Sequence, residues 1–250
     1  MIILKQPEEI EKIRTSNIIV AEILKELKEK IRPGITTLEL NRYSEELAKK
    51  RGATPAFKGY RGYPFALCTS VNSEVVHGMP SNRVLKHGDI VSLDFGARYQ
   101  GYYGDAAITL PVGDIAEEAR LLLQTTEQSL YDGIHQARAG NRLGDISAAV
   151  QSRVEAAGFS VVRDFVGHGI GKNLHEEPQV PNYGVSGRGV ELKSGMVLAI
   201  EPMVNAGTYK VRLLSDGWTV VTEDGQLSAH FEHTVAVTDE GPVILSLIRN

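Results

Sequence analysis

The 250-residue chain reads as an α+β fold of two related halves, each a helix pair followed by a turn and an apolar strand that ends in a carboxylate. Three observations lead there. Helix-spaced apolar residues recur in two blocks, near residues 8–50 and 117–157. Their glycine punctuation repeats, with Gly34 and Gly140, and likewise Gly52 and Gly158, 106 residues apart. The decamer from Leu85 to Asp94 also lines up at an offset of 107 with the one from Leu192 to Glu201, sharing Leu, Lys and Gly and ending in an acid both times. Two copies are too few to stack as a solenoid. The repeat therefore implies two halves about a pseudo-twofold axis that brings the terminal acids together.

In chain order, residues 8–30 carry Ile10, Ile13, Ile18, Val20, Ile23, Leu24 and Leu27 at helical spacing among Glu and Lys, which predicts an amphipathic helix. Pro33-Gly34 breaks it, Thr36 or Thr37 can cap a second helix with Leu38, Leu40 and Leu47 inward, and Gly52 stops that one. Residues 90–95 alternate, placing Ile90, Ser92 and Asp94 on one face and Val91, Leu93 and Phe95 on the other, as a strand does. A second strand follows over residues 102–110. The helix pair then returns over residues 117–136 and 145–157, and apolar strand-like runs end at Glu201 and span Glu232. No Ser-, Pro- or Gly-rich linker intervenes. One domain over residues 1–250 is expected, with an N-half of about 1–113 and a C-half of about 114–250.

With 42% hydrophobic and 23% charged residues, the composition is that of an ordinary globular protein, and a net charge of −4 offers no broad cationic surface for nucleic acid. The lone Cys68 cannot form an internal disulfide. No signal peptide and no transmembrane run are read, so the cytoplasm is the expected compartment.

The chemistry concentrates in acids. A hairpin turning about Tyr99-Gln100 would set Asp94 directly opposite Asp105, where like charges repel. Either both acids are solvated on an outer face, or a divalent cation sits between their oxygens. Glu201 and Glu232 add two more carboxylates, and a buried unpaired carboxylate is too costly to leave alone. His168, flanked by Gly167 and Gly169, projects from a tight segment and suits one metal as a neutral imidazole. Other chemistries fail on residue identity. Asn173 after Gly171-Lys172 denies the hydroxyl of a phosphate loop, Gln179 and Pro178 spoil an H-E-x-x-H helix after His175, and no G-x-S-x-G elbow occurs.

The ordered set Asp94, Asp105, His168, Glu201 and Glu232 resembles the ligand set of the pita-bread metallopeptidases. The flanking runs Asn72-Ser73-Glu74-Val75-Val76-His77-Gly78-Met79-Pro80, Gly101-Tyr102-Tyr103-Gly104-Asp105, Gly167-His168-Gly169-Ile170-Gly171, His175-Glu176-Glu177-Pro178 and Ile200-Glu201-Pro202 are similar to those of type I methionine aminopeptidases. The resemblance implies the pita-bread (creatinase/aminopeptidase) fold, two pseudo-symmetric halves of helices on a curved, mainly antiparallel sheet. It also implies two divalent metal ions per chain (Fe(II), Mn, Co or Zn), with His168 and Glu201 on one, Asp94 on the other, and Asp105 and Glu232 bridging. The implied activity is hydrolysis of N-terminal methionine before a small second residue, with a metal-bridging water or hydroxide as nucleophile. Glu201 would accept its proton, and His77 and His175 would hydrogen-bond the scissile peptide. Tyr60, Tyr63, Phe65, Cys68 and Trp218 would wall the methionine pocket by motif position, though each could equally be core. Leu174 departs from the aromatic residue many relatives carry before the His175 position.

The implied partners are peptide and nascent-protein N-termini, with a transient ribosome contact left open, no specific nucleic acid, no membrane, and a monomeric chain. Only thirty residues separate Glu201 from Glu232, too few for the helical insertion of type II relatives. Prolidases and Xaa-Pro aminopeptidases, which share the metals, and a non-catalytic binding protein that keeps the fold are the competing readings.

Overall fold

The structure, a computed structural model, describes residues 1–248. Arg249 and Asn250, the last of the expected domain, lie outside them. The first half runs through α1 (Pro7–Lys28), α2 (Thr37–Lys50), β1 (Thr54–Pro55), β2 (Leu67–Val71), β3 (Glu74–Val76), β4 (Ile90–Tyr99) and β5 (Tyr102–Pro111). The second begins with α3 (Glu117–Gln136), α4 (Leu143–Ala156), β6 (Ser160–Val161), β7 (Gly167–Gly169), β8 (Glu176–Val180) and β9 (Val197–Ile200). It closes with β10 (Met203–Asn205), β11 (Val211–Leu213), β12 (Val220–Thr222), β13 (Ser228–His230), β14 (Glu232–Thr238) and β15 (Gly241–Ile244). A nine-stranded sheet in the order β1-β4-β5-β14-β9-β7-β8, with β2 also on β4 and β15 on β14, spans both halves, and its strands pair antiparallel.

The repeat is written into the backbone. Gly34 and Gly140 both donate their N–H across to the strand-entry turn, to Leu85 O and Leu192 O, each at 2.9 Å. Isolated bridges Thr36↔Val84 and Arg142↔Glu191 sit at the same places, and Gly88 and Gly195 share a φ of 92°. Such positive φ is strained for any residue with a Cβ, which is why glycine punctuates both copies. Thr36 caps α2, its Oγ1 accepting from Glu39 N–H at 3.2 Å while Glu39 accepts from Thr36 N–H at 2.8 Å. At the matching start of α4, Asp145 accepts the Arg142 N–H at 2.7 Å. No Ser, Thr, Asn or Asp marks position 142, so a helix drawn from capping residues starts at Asp145, two residues late.

Alternation along the strands sorts the faces. Val91, Leu93 and Phe95 of β4 bury against Val20, Ile23, Leu24 and Leu27 of α1 and Leu40 of α2, whereas Leu38 is only half buried. Leu198 and Ile200 of β9 bury against Leu122, Leu130 and Ile134 of α3 and Ile146 and Val150 of α4. Fully burying one such side chain is worth about 1.5–3 kcal/mol. The helices thus take one face of each half's strands, and the opposite face is left to the acids.

One register differs from expectation. The β4–β5 hairpin turns about Gln100-Gly101, pairing Tyr99 with Tyr102 and Gly96 with Asp105, so Asp94 faces Ala107 rather than Asp105. Gln100 (φ 49°) and Gly101 (φ 86°) supply the two left-handed residues that a two-residue hairpin turn needs. The shift is by two residues, so Asp105 keeps Asp94's face but sits diagonally from it. Gly104 lets α1 come close beside it. A Cβ there would lie 2.6 Å from Asn17 N, and Asn17 Oδ1 accepts the Asp105 N–H at 3.2 Å. Gly104→Ala is expected to cost about 1–3 kcal/mol through overpacking, lowering Tm by roughly 2–10 °C in a thermal melt. Asn17→Ala, which removes the hydrogen bond without the clash, should lower it less.

Candidate metal centre and its cavity

Four carboxylates and one imidazole reach the same face of the sheet by register alone. Asp94 pairs with Ala107, and Ala107 on its other side pairs with Glu232. Because His233 pairs with Ile200, the next step places Glu232 beside Glu201. Asp94, Glu232 and Glu201 therefore form a row that crosses β4, β5, β14 and the end of β9, and with them the seam between the halves. Asp105 lies two residues along β5 from Ala107. His168 pairs with Ala199, two residues before Glu201. In the first half, Ser70 of β2 pairs with Ser92, which the repeat equates with Ala199. The position equivalent to His168 thus carries a serine.

The side chains converge. Asp105, His168 and Glu232 each offer a ligand atom within 4.8 Å of the others, close to the roughly 4.4 Å limit for atoms sharing an ion at 2.0–2.2 Å. Glu201 lies 3.6 Å from His168 Nε2 and, through its other oxygen, 3.6 Å from His230 Nε2. The ring nitrogen His168 Nδ1 is 2.9 Å from Gly169 O. A carbonyl only accepts, so Nδ1 carries the proton and Nε2 keeps its lone pair for a metal.

The electrostatics of the cluster are unfavourable without a cation. Asp94 Oδ1, Asp105 Oδ1 and Glu232 Oε1 are buried with no hydrogen-bond partner. Burial pushes the Asp94 and Glu201 carboxyls up to about 7, with Glu201's charge also raising Asp94. Burial and the neighbouring acids hold Asp105 and Glu232 well above the usual carboxylate range. Among the described residues, only His168 and His230 come within ion-pair distance of the four acids, both at Glu201. Orphaned carboxylate oxygens around one imidazole, with no thiolate ligand, are the donor set of hard or borderline divalent cations. The residues fit such ions.

A cavity of about 140 Å³ opens on this cluster, and its walls include the five candidate ligands with Tyr60, Tyr63, Cys68, His77, His175 and Trp218. Phe65 is not among the lining residues and packs edge-on against Tyr63 with ring centroids 6.2 Å apart. Cys68 pairs across β2–β4 with Asp94, and its thiol is pushed up by burial and by that acid. His77 adopts a left-handed backbone, φ 58°, with its ring edge-on to Phe165 at 5.5 Å; burial lowers it to about 4. His175 is lowered to about 3 by burial and then by His168. Its Nδ1 is 2.9 Å from the Tyr60 hydroxyl. A neutral ring that accepts this hydroxyl at Nδ1 carries its proton on Nε2, free to donate.

Phe57, Arg61 and Leu174 also line the cavity, and His230 backs it through Glu201. Of these the sequence marks only Leu174, as a departure from the family pattern. His230 precedes Glu232 by two residues, the spacing that shares a face, and that alternation was the available signal. Phe57 and Arg61 come from irregular chain with no period to betray them.

The metallopeptidase family M24 model matches residues 11–239. A methionine aminopeptidase of Clostridium perfringens is 58% identical over 249 residues, covering all of both chains. Methionine aminopeptidase 1 of Bacillus subtilis is 54% identical over 99% of this chain and all of that one. The crystal structure of a methionine aminopeptidase from Thermotoga maritima superposes with a TM-score of 0.98 at 50% identity, over 99% of this chain and 100% of that one. The two-halved α+β architecture is the pita-bread fold. With its full length matched and its acids gathered at the seam, the chain belongs to metallopeptidase family M24 and, within it, to the methionine aminopeptidases.

Proposed function

We propose that this chain hydrolyses the N-terminal methionine from peptides and nascent proteins, preferring a small second residue, with two divalent ions held by the five-residue cluster. The observation that carries the reading is the convergence of Asp105, His168 and Glu232 within 4.8 Å, beside Asp94 and Glu201, in a chain 58% identical to a methionine aminopeptidase. His168 and Glu201 would hold one ion, Asp94 the other, and Asp105 and Glu232 both; Fe(II), Mn, Co and Zn all suit the donors. When bound, the ions activate water and polarise the scissile carbonyl.

The protein's own groups do the rest. Glu201 takes the proton from the attacking water and returns it to the departing amine. His77 and His175, both neutral near pH 7 because burial disfavours their charge, donate to the scissile peptide as charge develops on it. Tyr63, Cys68 and Trp218 wall the methionine side chain, with Phe65 backing Tyr63. Sulfur against aromatic rings favours the thioether modestly, and about 140 Å³ is near the size of an engineered cavity, about 150 Å³, that takes one benzene. Residues 1–248 act as one domain, since the acids come from both halves. The setting proposed is the cytoplasm, with a monomeric chain meeting N-termini, transiently at the ribosome. No helix of the described residues is long and apolar enough to cross a membrane.

Release of methionine from Met-Ala-Ser by the metal-loaded protein is the expected result, and cleavage of a Xaa-Pro peptide alone would instead place the activity with the prolidases. Asp94→Asn should lower that turnover by at least about 100-fold, more than the loss of an outer-shell partner costs, with an unchanged circular dichroism spectrum. Full activity with normal metal content would remove Asp94 from the site.

The buried acids also set a pH dependence of stability. Asp94 and Glu201 rise from ordinary values of 3.8 and 4.5 to about 7, so the metal-free folded chain holds protons that the unfolded chain has released. Their stabilising contribution is whole below pH ~4 and is lost as pH rises through 7. The buried His230 and the half-buried His77 and His233, all lowered from 6.5, act oppositely, but only below that value. In EDTA the Tm is therefore expected to fall between pH 6.5 and about 8.5. Added Mn(II) should flatten that slope, as read by scanning calorimetry.

A further inference from the structure

His168 and His175 stand at the two ends of one short turn, and that turn is clamped from the first half of the chain. Tyr103 N–H donates to Gly171 O at 2.8 Å, and Lys172 Nζ pairs with Glu9 at 3.2 Å. The deepest tie is Lys5, ahead of α1. Its Nζ lies 2.6 Å from Glu176 Oε2, with side-chain exposures of only 4% and 6%, and also donates to Ile3 O at 3.1 Å. The Lys5 backbone N–H is fixed to Gly195 O at 2.7 Å. Glu176, next to His175, uses its other oxygen to accept Asn173 N–H at 3.0 Å. Gly171 leaves the room: a Cβ there would come 2.7 Å from Lys5 Cε and 3.0 Å from Glu176 Oε1.

Desolvating two charges is expensive, and an apolar pair of similar volume commonly serves stability as well or better. A buried pair is best explained where it specifies a geometry. Here both Glu176 oxygens are engaged, one by the far end of the chain and one by the turn itself, and the residue so held adjoins a ring that must point at the substrate. We infer that Lys5, acting through Glu176, is a positioning residue for His175, so that the segment before α1 belongs to the catalytic apparatus of the opposite half. This rests on the reading that His175 donates to the scissile peptide.

The test compares Lys5→Met in two backgrounds, the natural chain and His175→Ala, with methionine release from Met-Ala-Ser as readout. His175→Ala alone should lower kcat by about 10²–10³-fold, the usual loss for one oxyanion donor. Lys5→Met in the natural background should lower kcat by about 10- to 100-fold, as small misplacements do, with KM within about threefold. In the His175→Ala background the same substitution should cost less than about twofold, because the ring it positions is gone. Lys5→Met/Glu176→Gln, which leaves no unpaired buried charge, should behave likewise and covers the case in which Lys5→Met does not fold.

Undiminished kcat in Lys5→Met or the double variant, or an equal loss in both backgrounds, overturns the inference while the proposed activity stands. Full activity of His175→Ala would instead overturn the role given to His175, and this inference with it. Amide exchange at Asn173 needs no turnover. It should quicken in Lys5→Met, and unchanged protection would show that Lys5 does not anchor the turn.

Discussion

Repulsion among four buried carboxylates is the constraint around which the rest of this chain is arranged. Asp94, Asp105 and Glu232 come from three strands and Glu201 from the residue after a fourth, and three of them have oxygens with no hydrogen-bond partner. No sheet would gather them on energetic grounds of their own. What assembles them is apolar: two cores, α1 and α2 on one half's strands and α3 and α4 on the other's, bury enough surface to impose the register. The helices occupy one face, and strand alternation leaves the other for the acids. The site is thus a cost borne by the cores and relieved by cations.

Much of this was legible from residue order. The paired helices, their glycine stops and the two acid-terminated strands follow from periodicity and from residues that tolerate positive φ, and the backbone makes the same hydrogen bond at Gly34 and at Gly140. That Asp94 and Glu201 are one position in two halves is legible in the sequence alone. Which side chains meet across strands was less legible, because register depends on turn type. Moving the β4–β5 turn by one residue shifts the pairing by two, changing Asp94 and Asp105 from facing to diagonal neighbours while leaving both on the proper face.

Contacts made by irregular chain were the least legible. Phe57 and Arg61 reach the cavity from a segment without period, and Phe65, chosen by its place in a motif, stands behind Tyr63 instead of at the wall. The tie between Lys5 and Glu176 spans 171 residues, and nothing local distinguishes Lys5 from the other lysines of an N-terminal segment. Pattern finds what repeats along the chain; pairings across it require the fold.

The repeat is also incomplete in a way that matters. The row of Asp94, Glu232 and Glu201 lies across the seam, yet where the second half carries His168 the first carries Ser70. A fully symmetric row would have two interchangeable ends. A peptide is a directional molecule, with an amine at one end and a growing chain at the other, and an interchangeable site could hold it in either sense. His168 lines the cavity at one end, whereas at the matching place in the first half the Ser70 hydroxyl accepts the Gly78 N–H at 3.2 Å, so the two ends of the row are chemically different and not interchangeable.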